Sequence, residues 1–416
     1  STRSLKNALR LHGTSMPFIE FDETDSTVGG LLSNSSTALS KDSVDQLEVV
    51  LSNGDNMQTK RLSKRDLNKI KGKQSFEADI YRAIDGLIDE RKALIDQLDD
   101  KNMSGYASIA DVKQKDGSLD LTPLFLGSQG TLGIISEMIL KSDYISDNKS
   151  IIVGATSDPA NARDLVDDVA KIKPAHMMYF DAATMEAAQL SGKTFAFTNE
   201  VSNPTVVVAI FNDISARNQT KKLKKAQKLY IKHDATVATS ADMNDSEFAS
   251  VFSIISLSEQ TDDTSSALPM MDNAYVPPSR FEDFSNSLFE LSKKLKIDLP
   301  LHGQPLEGLW TVRPKVNLKT VGGKQAVFKL IEEYSQLVER FGGYLAGGHS
   351  EGRLQTYSTY KTIDDEIQQL YVDIKNIFDP AGVLNSDVKQ KIDVKDLVKS
   401  LRSSFRSQSS DALPRR

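Results

Sequence analysis

Between Ile151 and Lys232 the chain alternates short apolar runs with longer amphipathic stretches: Ile151–Ala155, Ala160–Lys171, Met177–Phe180, Ala182–Leu190, Val206–Phe211 and Ala216–Lys232. Short β-rich runs suit strands, whereas apolar residues recurring every three or four positions suit helices. The alternation continues to about Pro314 and predicts an α+β layer with helices on one face of a sheet. With 416 residues, the chain has room for a second or third domain beside it.

The flanks follow other patterns. Residues 1–40 read as a short helix ending at Gly13, followed by a loop through Thr27-Val28-Gly29-Gly30 and the polar run Ser33-Asn34-Ser35-Ser36. Glycines beside small polar residues let backbone N–H groups approach a ligand, as phosphate-cradling loops do, although a plain turn has the same signature. Leu47–Leu51 leads into the hairpin signal Asn53-Gly54-Asp55, with Met57–Lys60 as the returning strand. Ile80, Ile84, Leu87, Ile88, Leu94, Ile95 and Leu98 then keep the spacing of one long amphipathic helix. Leu124–Ile135 places Gly127, Gly130 and Gly133 between two apolar runs, the second continuing as a strand to Leu140. Either a ligand or a closely packed neighbouring segment would account for these glycines. Towards the C-terminus, a helix over Gln325–Phe341 ends at Gly342-Gly343, and a second runs from Ile363 until Pro380 stops it. The Ser/Arg/Gln-rich tail from Arg402 reads as disordered.

Composition removes whole classes of function. The net charge of −6 argues against nucleic acid as a partner. The basic stretches Lys60–Lys73 and Lys221–Lys228 read as solvated helix faces. There is no cysteine, so disulfides, cysteine-ligated clusters, a thiol nucleophile and a cysteinyl flavin link are all excluded. No apolar run approaches the roughly 18 residues of a transmembrane helix. The chain opens on Ser1 without an apolar leader, so no signal peptide is read and a start inside a longer protein is expected.

Of the five histidines, His302 and His349 lie in glycine-containing loops, Leu301–Gly308 and Ala346–Arg353. A glycine-bracketed imidazole can face a ligand and transfer protons near neutral pH, so both are candidate catalytic residues.

Six segments carry a resemblance, and they occur in the same order as in the family concerned. They are the Thr27–Asn34 loop, Ser104-Gly105-Tyr106, Gly127-Ser128-Gln129-Gly130-Thr131-Leu132-Gly133-Ile134, Tyr275-Val276-Pro277, Ala346–Arg353 and Asp379-Pro380-Ala381-Gly382-Val383-Leu384-Asn385. Together they resemble FAD-linked oxidases of the vanillyl-alcohol-oxidase type, in the glycolate oxidase and D-lactate dehydrogenase branch. The resemblance implies an α+β fold: a partial PCMH-type FAD-binding domain, and an α/β cap whose antiparallel sheet is covered by helices. It places the FAD domain at 1–146, without its first subdomain, and the substrate cap at 147–360. A helix and flavin-contacting segment at 361–392 then return the chain to the FAD domain, and 393–416 form a tail. By the same resemblance Thr27, Gly29, Gly30, Asn34, Gly127, Ser128, Gly130, Thr131, Gly133, Ile135 and Asn385 contact or shape the FAD site.

The mechanism so implied is hydride transfer from a small 2-hydroxy acid, D-lactate- or glycolate-like, to FAD. His349 would remove the hydroxyl proton, Arg353 would meet the substrate carboxylate and His302 would assist, with Arg313 and Lys315 as further carboxylate partners. A dehydrogenase passing electrons to a quinone or protein acceptor is expected, though the sequence does not separate it from an oxidase. Metal-dependent members carry further ligands where this chain has His302, Thr311 and Gly348, and only the first is retained. No bound metal is therefore expected unless Glu307 or Glu351 is recruited. The alternative is a catalytically silent relative acting as a binding or assembly module, or a fragment that cannot hold FAD alone. The cytoplasm is the default location, and a peripheral contact with a membrane is compatible with this branch.

Overall fold

The computed structural model describes residues 1–16, 26–34, 43–144, 149–190, 192–258, 266–267, 269–393, 395 and 397. The expected disorder from Arg402, and Ser35-Ser36 of the polar run, lie outside the described residues. Two compact units emerge among the described residues, one drawn from 1–145 with 344–397, the other from 146–343.

The first unit opens with helix α1 (Thr2–Leu11), capped by the Ser1 side chain and ended just before Gly13, whose φ is +66°. Helix α2 (Val28–Asn34) follows, then strands β1 (Val44–Val50) and β2 (Asn56–Thr59), joined across the Asn53–Gly54 turn. The amphipathic pattern from Ile80 becomes α3 (Phe76–Glu90), N-capped by Ser75. It does not run on as one helix. Arg91 leaves helical geometry at φ −101°, ψ 19°, and only a single turn, Lys92–Ile95, follows. Strand β3 (Ile134–Leu140) completes a three-stranded antiparallel sheet in the order β2–β1–β3, with Val49 opposite Ile135.

In the second unit the alternation read from the sequence becomes β4 (Lys149–Thr156), α4 (Pro159–Ala170), β5 (His176–Phe180), α5 (Ala182–Gln189), β6 (Thr205–Asn212) and α6 (Ala216–Lys232). Asp158, Asp181 and Ser215 cap the three helices with their side chains. Helix α6 buries Gln219, Ala226 and Tyr230 and leaves its lysines on the other side, the arrangement of a solvated basic face. Strands β7 (Ala238–Thr239), β8 (Ala274–Tyr275), β9 (Leu301–Gln304) and β10 (Leu309–Val312) extend the sheet to seven strands, ordered β8–β10–β9–β5–β6–β4–β7. Every pairing in it is antiparallel. Helices α7 (Phe281–Leu295) and α8 (Val321–Arg340) lie further along the same unit.

The chain then contributes α9 (Gly352–Thr359) and α10 (Asp365–Phe378) to the first unit. Helix α10 inserts Leu370, Tyr371, Ile374 and Phe378 into the core with Ile80, Ile84 and Phe125. Phe378 meets Phe125 edge to face, with ring centres 5.4 Å apart.

Gly133, just before β3, packs directly on this core. A Cβ there would lie 2.3 Å from Val49 Cγ1 and 3.1 Å from the Val50 carbonyl oxygen. Gly133→Ala should therefore destabilise the first unit by about 1–3 kcal/mol, the usual cost of overpacking. Chemical denaturation would measure it, and an unchanged midpoint would contradict the packing role.

Candidate functional site

Four segments of the first unit meet around the loop 127–131. Gly127 N donates to Leu32 O at 2.9 Å, and Gln129 N donates to Ser33 O at 2.7 Å, which ties the loop to the end of α2. The Gln129 side chain continues the connection: its Nε2 donates to Asn34 Oδ1 at 3.0 Å and its Oε1 accepts from Gly352 N at 3.1 Å. Its carbonyl oxygen accepts from Asn385 Nδ2 at 2.6 Å. Gln129 does this in the left-handed region, at φ +55°, which costs a side-chain-bearing residue free energy and is repaid by the bonds it makes.

The loop carrying His349 is held at the same place. Ser350 N donates to Asn34 O at 3.2 Å, and Ser350 Oγ donates to Gly127 O at 2.6 Å. His349 is half-buried, and its Nδ1 donates to Ser350 O at 2.9 Å. In the neutral ring this bond leaves the lone pair on Nε2, available to a proton donor. Arg353 is exposed and donates from Nη2 to Ser386 O at 2.7 Å, so it stands beside the Asn385 segment.

The residues expected around FAD separate into two groups. Ser128, Thr131 and Gly133 are buried, and both hydroxyls are used inside the protein, Ser128 Oγ on Phe125 O and Thr131 Oγ1 on Ser128 O. Thr131 also meets Tyr106 Oη at 2.6 Å. These residues shape the loop. Thr27, Gly30, Asn34 and Asn385 are exposed, and Gly29, Gly130 and Ile135 are half-exposed. Gly130 has φ +71° and open space where a Cβ would be, so backbone can be approached closely there.

In the second unit His302 is a buried ring, 6% exposed, stacked on Phe180. Burial, reinforced by the positive charge of Arg313, pulls its pKa from 6.5 to about 3. The ring is therefore neutral at physiological pH, and its conjugate acid is too strong for it to be a useful proton acceptor. Opposite it in the sheet is Thr311, whose hydroxyl accepts from Asn273 N at 3.0 Å. Arg313 donates from Nε to Asp272 at 2.8 Å and makes a second bond to it from Nη2, so the guanidinium is occupied by a buried carboxylate. Lys315 is exposed.

The sequence model of the FAD linked oxidases, C-terminal domain, matches residues 147–388. The chain belongs to this family. Among curated proteins it is 24% identical over 275 residues to the glycolate oxidase subunit GlcD of Bacillus subtilis, covering 64% of this chain and 56% of that one. It is 25% identical over 148 residues to the D-2-hydroxyglutarate dehydrogenase of Haemophilus influenzae, covering 35% of this chain and 14% of the relative. The chain thus spans little more than half of the first relative and a small part of the second. Among solved structures, the 4-ethylphenol oxidase of Gulosibacter chungangensis aligns over 94% of this chain and 74% of its own, with TM-score 0.64 and 11% identity. A p-cresol methylhydroxylase aligns over 84% and 65%, with TM-score 0.57 and 11% identity. The fold is that of the PCMH-type FAD-linked oxidases.

FAD is the cofactor of this family, and the first unit suits it: an open approach to Gly130 backbone is flanked by the exposed amide side chains of Asn34 and Asn385. A metal is less well served. Glu351 is fully buried and paired with Lys389, and Glu307 is pushed by burial towards its neutral form. Among the described residues no three His, Asp or Glu side chains converge as a ligand set. No described helix is long and apolar enough to cross a membrane.

Three residues of the site escaped the sequence reading. Gln129 was read only as one letter of a motif. Lys375 donates to Thr131 O and Leu384 O, both at 2.7 Å, and pairs with Asp379. Burial would raise the Asp379 pKa, but Lys375 and the backbone amides of Leu384 and Val383 hold it below the ordinary carboxylate range. The clue to Lys375 was its place four residues after Tyr371 and three before Phe378, on the apolar face. Lys389 had no comparable signal.

A pH test follows for His302. The unfolded chain protonates this ring at about 6.5 and the folded chain only at about 3, so the neutral ring's contribution is present above 6.5 and lost as pH falls towards 3. At pH 5 the loss should be about 2 kcal/mol. Burial raises Asp181 to about 6, which acts in the opposite sense, so wild type must be compared with His302→Gln. The stability difference between them should shift against wild type between pH 6.5 and 4 in denaturant titrations; a constant difference would contradict the burial argument.

Proposed function

We propose that the chain is the major part of an FAD-dependent dehydrogenase that oxidises a small D-2-hydroxy acid. The observation that carries this reading is the hydrogen bond from His349 Nδ1 to Ser350 O, which in the neutral ring leaves the lone pair on Nε2. When bound, FAD supplies the acceptor for the hydride leaving the substrate α-carbon. His349 Nε2 takes the hydroxyl proton as the alkoxide develops, and the backbone around it, fixed by Ser350, keeps the ring oriented for this. Arg353 holds the substrate carboxylate with guanidinium donors other than the one on Ser386 O.

Thr27, Gly29, Gly30, Asn34, Gly130, Ile135 and Asn385 would hold the cofactor. Gly127, Ser128, Thr131 and Gly133 shape the loop behind them. We assign the segment 147–360 to the substrate side and 361–392 to cofactor retention. The names of the two curated relatives, a glycolate oxidase subunit and a D-2-hydroxyglutarate dehydrogenase, support a hydroxy acid as the substrate class. A quinone or an electron-transfer protein would then reoxidise the flavin.

The chain, purified after addition of FAD and removal of the excess, should retain a flavin absorption spectrum that bleaches anaerobically with at least one D-2-hydroxy acid. His349→Asn should retain the flavin and slow bleaching by about 10²–10⁴-fold, the usual share of a general base. Undiminished bleaching in that variant would remove His349 from the mechanism, and a colourless wild-type chain would favour the silent relative.

A further inference from the structure

One buried ion pair grips both polar groups of a single peptide residue, Gly105. Glu351 Oε1 accepts from Gly105 N at 3.0 Å, Lys389 Nζ donates to Gly105 O at 2.6 Å, and the two side chains meet at 3.1 Å. Both are at most 1% exposed. Gly105 has φ +54°, and a Cβ on it would lie 2.1 Å from the Tyr371 ring, so nothing but glycine fits between the pair and α10.

Stability is a poor explanation for this pair. Desolvating two charges costs several kcal/mol each, and well-packed apolar replacements of buried pairs are often neutral or better. What an ion pair does supply is a defined register, because a displaced charge has no alternative partner in the interior. The placement of the two residues in the chain gives that register a use. Glu351 follows His349 by two residues, and Lys389 follows Asn385 by four. The pair therefore joins the loop of the proposed base to the segment of the proposed flavin contact, and seats both on the 103–106 turn, where Met103 N also donates to Ala346 O at 2.7 Å.

We infer that Glu351 and Lys389 are positioning residues, a latch that fixes the 346–353 loop and the 384–389 segment in one mutual register and thereby sets the affinity for FAD. Neither residue is taken to touch the cofactor. The inference deepens the proposed function, since the affinity it concerns is for the cofactor of that reading.

The test is the double variant Glu351→Gln/Lys389→Met, which keeps an acceptor for Gly105 N, fills the space of the lysine stem and removes both charges. Its thermal midpoint without FAD should stay near that of wild type, while amide hydrogen exchange accelerates in 346–353 and 384–389 only. FAD affinity, read by quenching of flavin fluorescence, should fall about tenfold or more. If the double variant does not fold, Glu351→Gln alone gives the readout: its amide oxygen keeps the contact to Gly105 N, its amide nitrogen cannot accept from Lys389, and faster exchange in the same two segments is expected. Unchanged exchange in these segments overturns the latch, and wild-type FAD affinity with accelerated exchange overturns its link to the cofactor. Should wild type hold no FAD, the exchange pattern still decides the latch, while the proposed function alone fails.

Discussion

The first unit depends on Gln129 accepting a left-handed backbone. In that conformation its N–H and C=O point to opposite neighbours, Ser33 and Asn385, while its side-chain amide spans Asn34 and Gly352. Three segments far apart in sequence thus terminate on one residue. Each bond is individually worth about 1 kcal/mol net, but a shared residue makes them conditional on one another. The end of α2, the loop of His349 and the Asn385 turn are located by this arrangement, and the buried lysines at 375 and 389 reinforce it from behind.

Much of this was legible in sequence because it rests on local patterns. The β4–α4–β5–α5–β6–α6 alternation was readable since apolar spacing reports the exposure of each element directly. The apolar spacing predicts a helix beyond Glu90 because Leu94, Ile95 and Leu98 keep helical positions across the break at Arg91; periodicity registers which side is apolar and not whether the hydrogen-bond ladder is continuous. Gly127, Gly130 and Gly133 looked alike as letters. In space Gly133 answers a packing contact with Val49 and Gly130 faces an opening, a distinction that needs the neighbour's coordinates.

The site itself was half legible. His349 and Arg353 stood out because glycines bracket them, and both lie in the loop that meets Asn34 and Ser386. His302 stood out for the same reason, yet its glycine neighbour reflects crowding inside a sheet: a Cβ on Gly303 would lie 2.2 Å from Leu309 O. Glycine beside histidine thus marks an open loop in one case and a compressed strand in the other. Arg313 was visible as a cation, whereas the carboxylate that occupies it, Asp272, is 41 residues away in sequence. Long-range charge pairing leaves no local trace, and the same holds for Glu351 with Lys389.

The discontinuous make-up of the first unit bears on biosynthesis. Its two parts, 1–145 and 344–397, are separated by residues 146–343 of the second unit. A nascent chain emerging from the ribosome can close the seven-stranded sheet before α10 exists, but it cannot bury Phe125 against Phe378 or satisfy Thr131 O with Lys375 until translation is nearly finished. Until then an apolar surface of the first unit waits uncovered, the condition in which chaperones are engaged and aggregation competes. Truncation or stalling before Lys375 would therefore strand the N-terminal part while leaving the second unit able to fold, an asymmetry that follows from the order of synthesis alone.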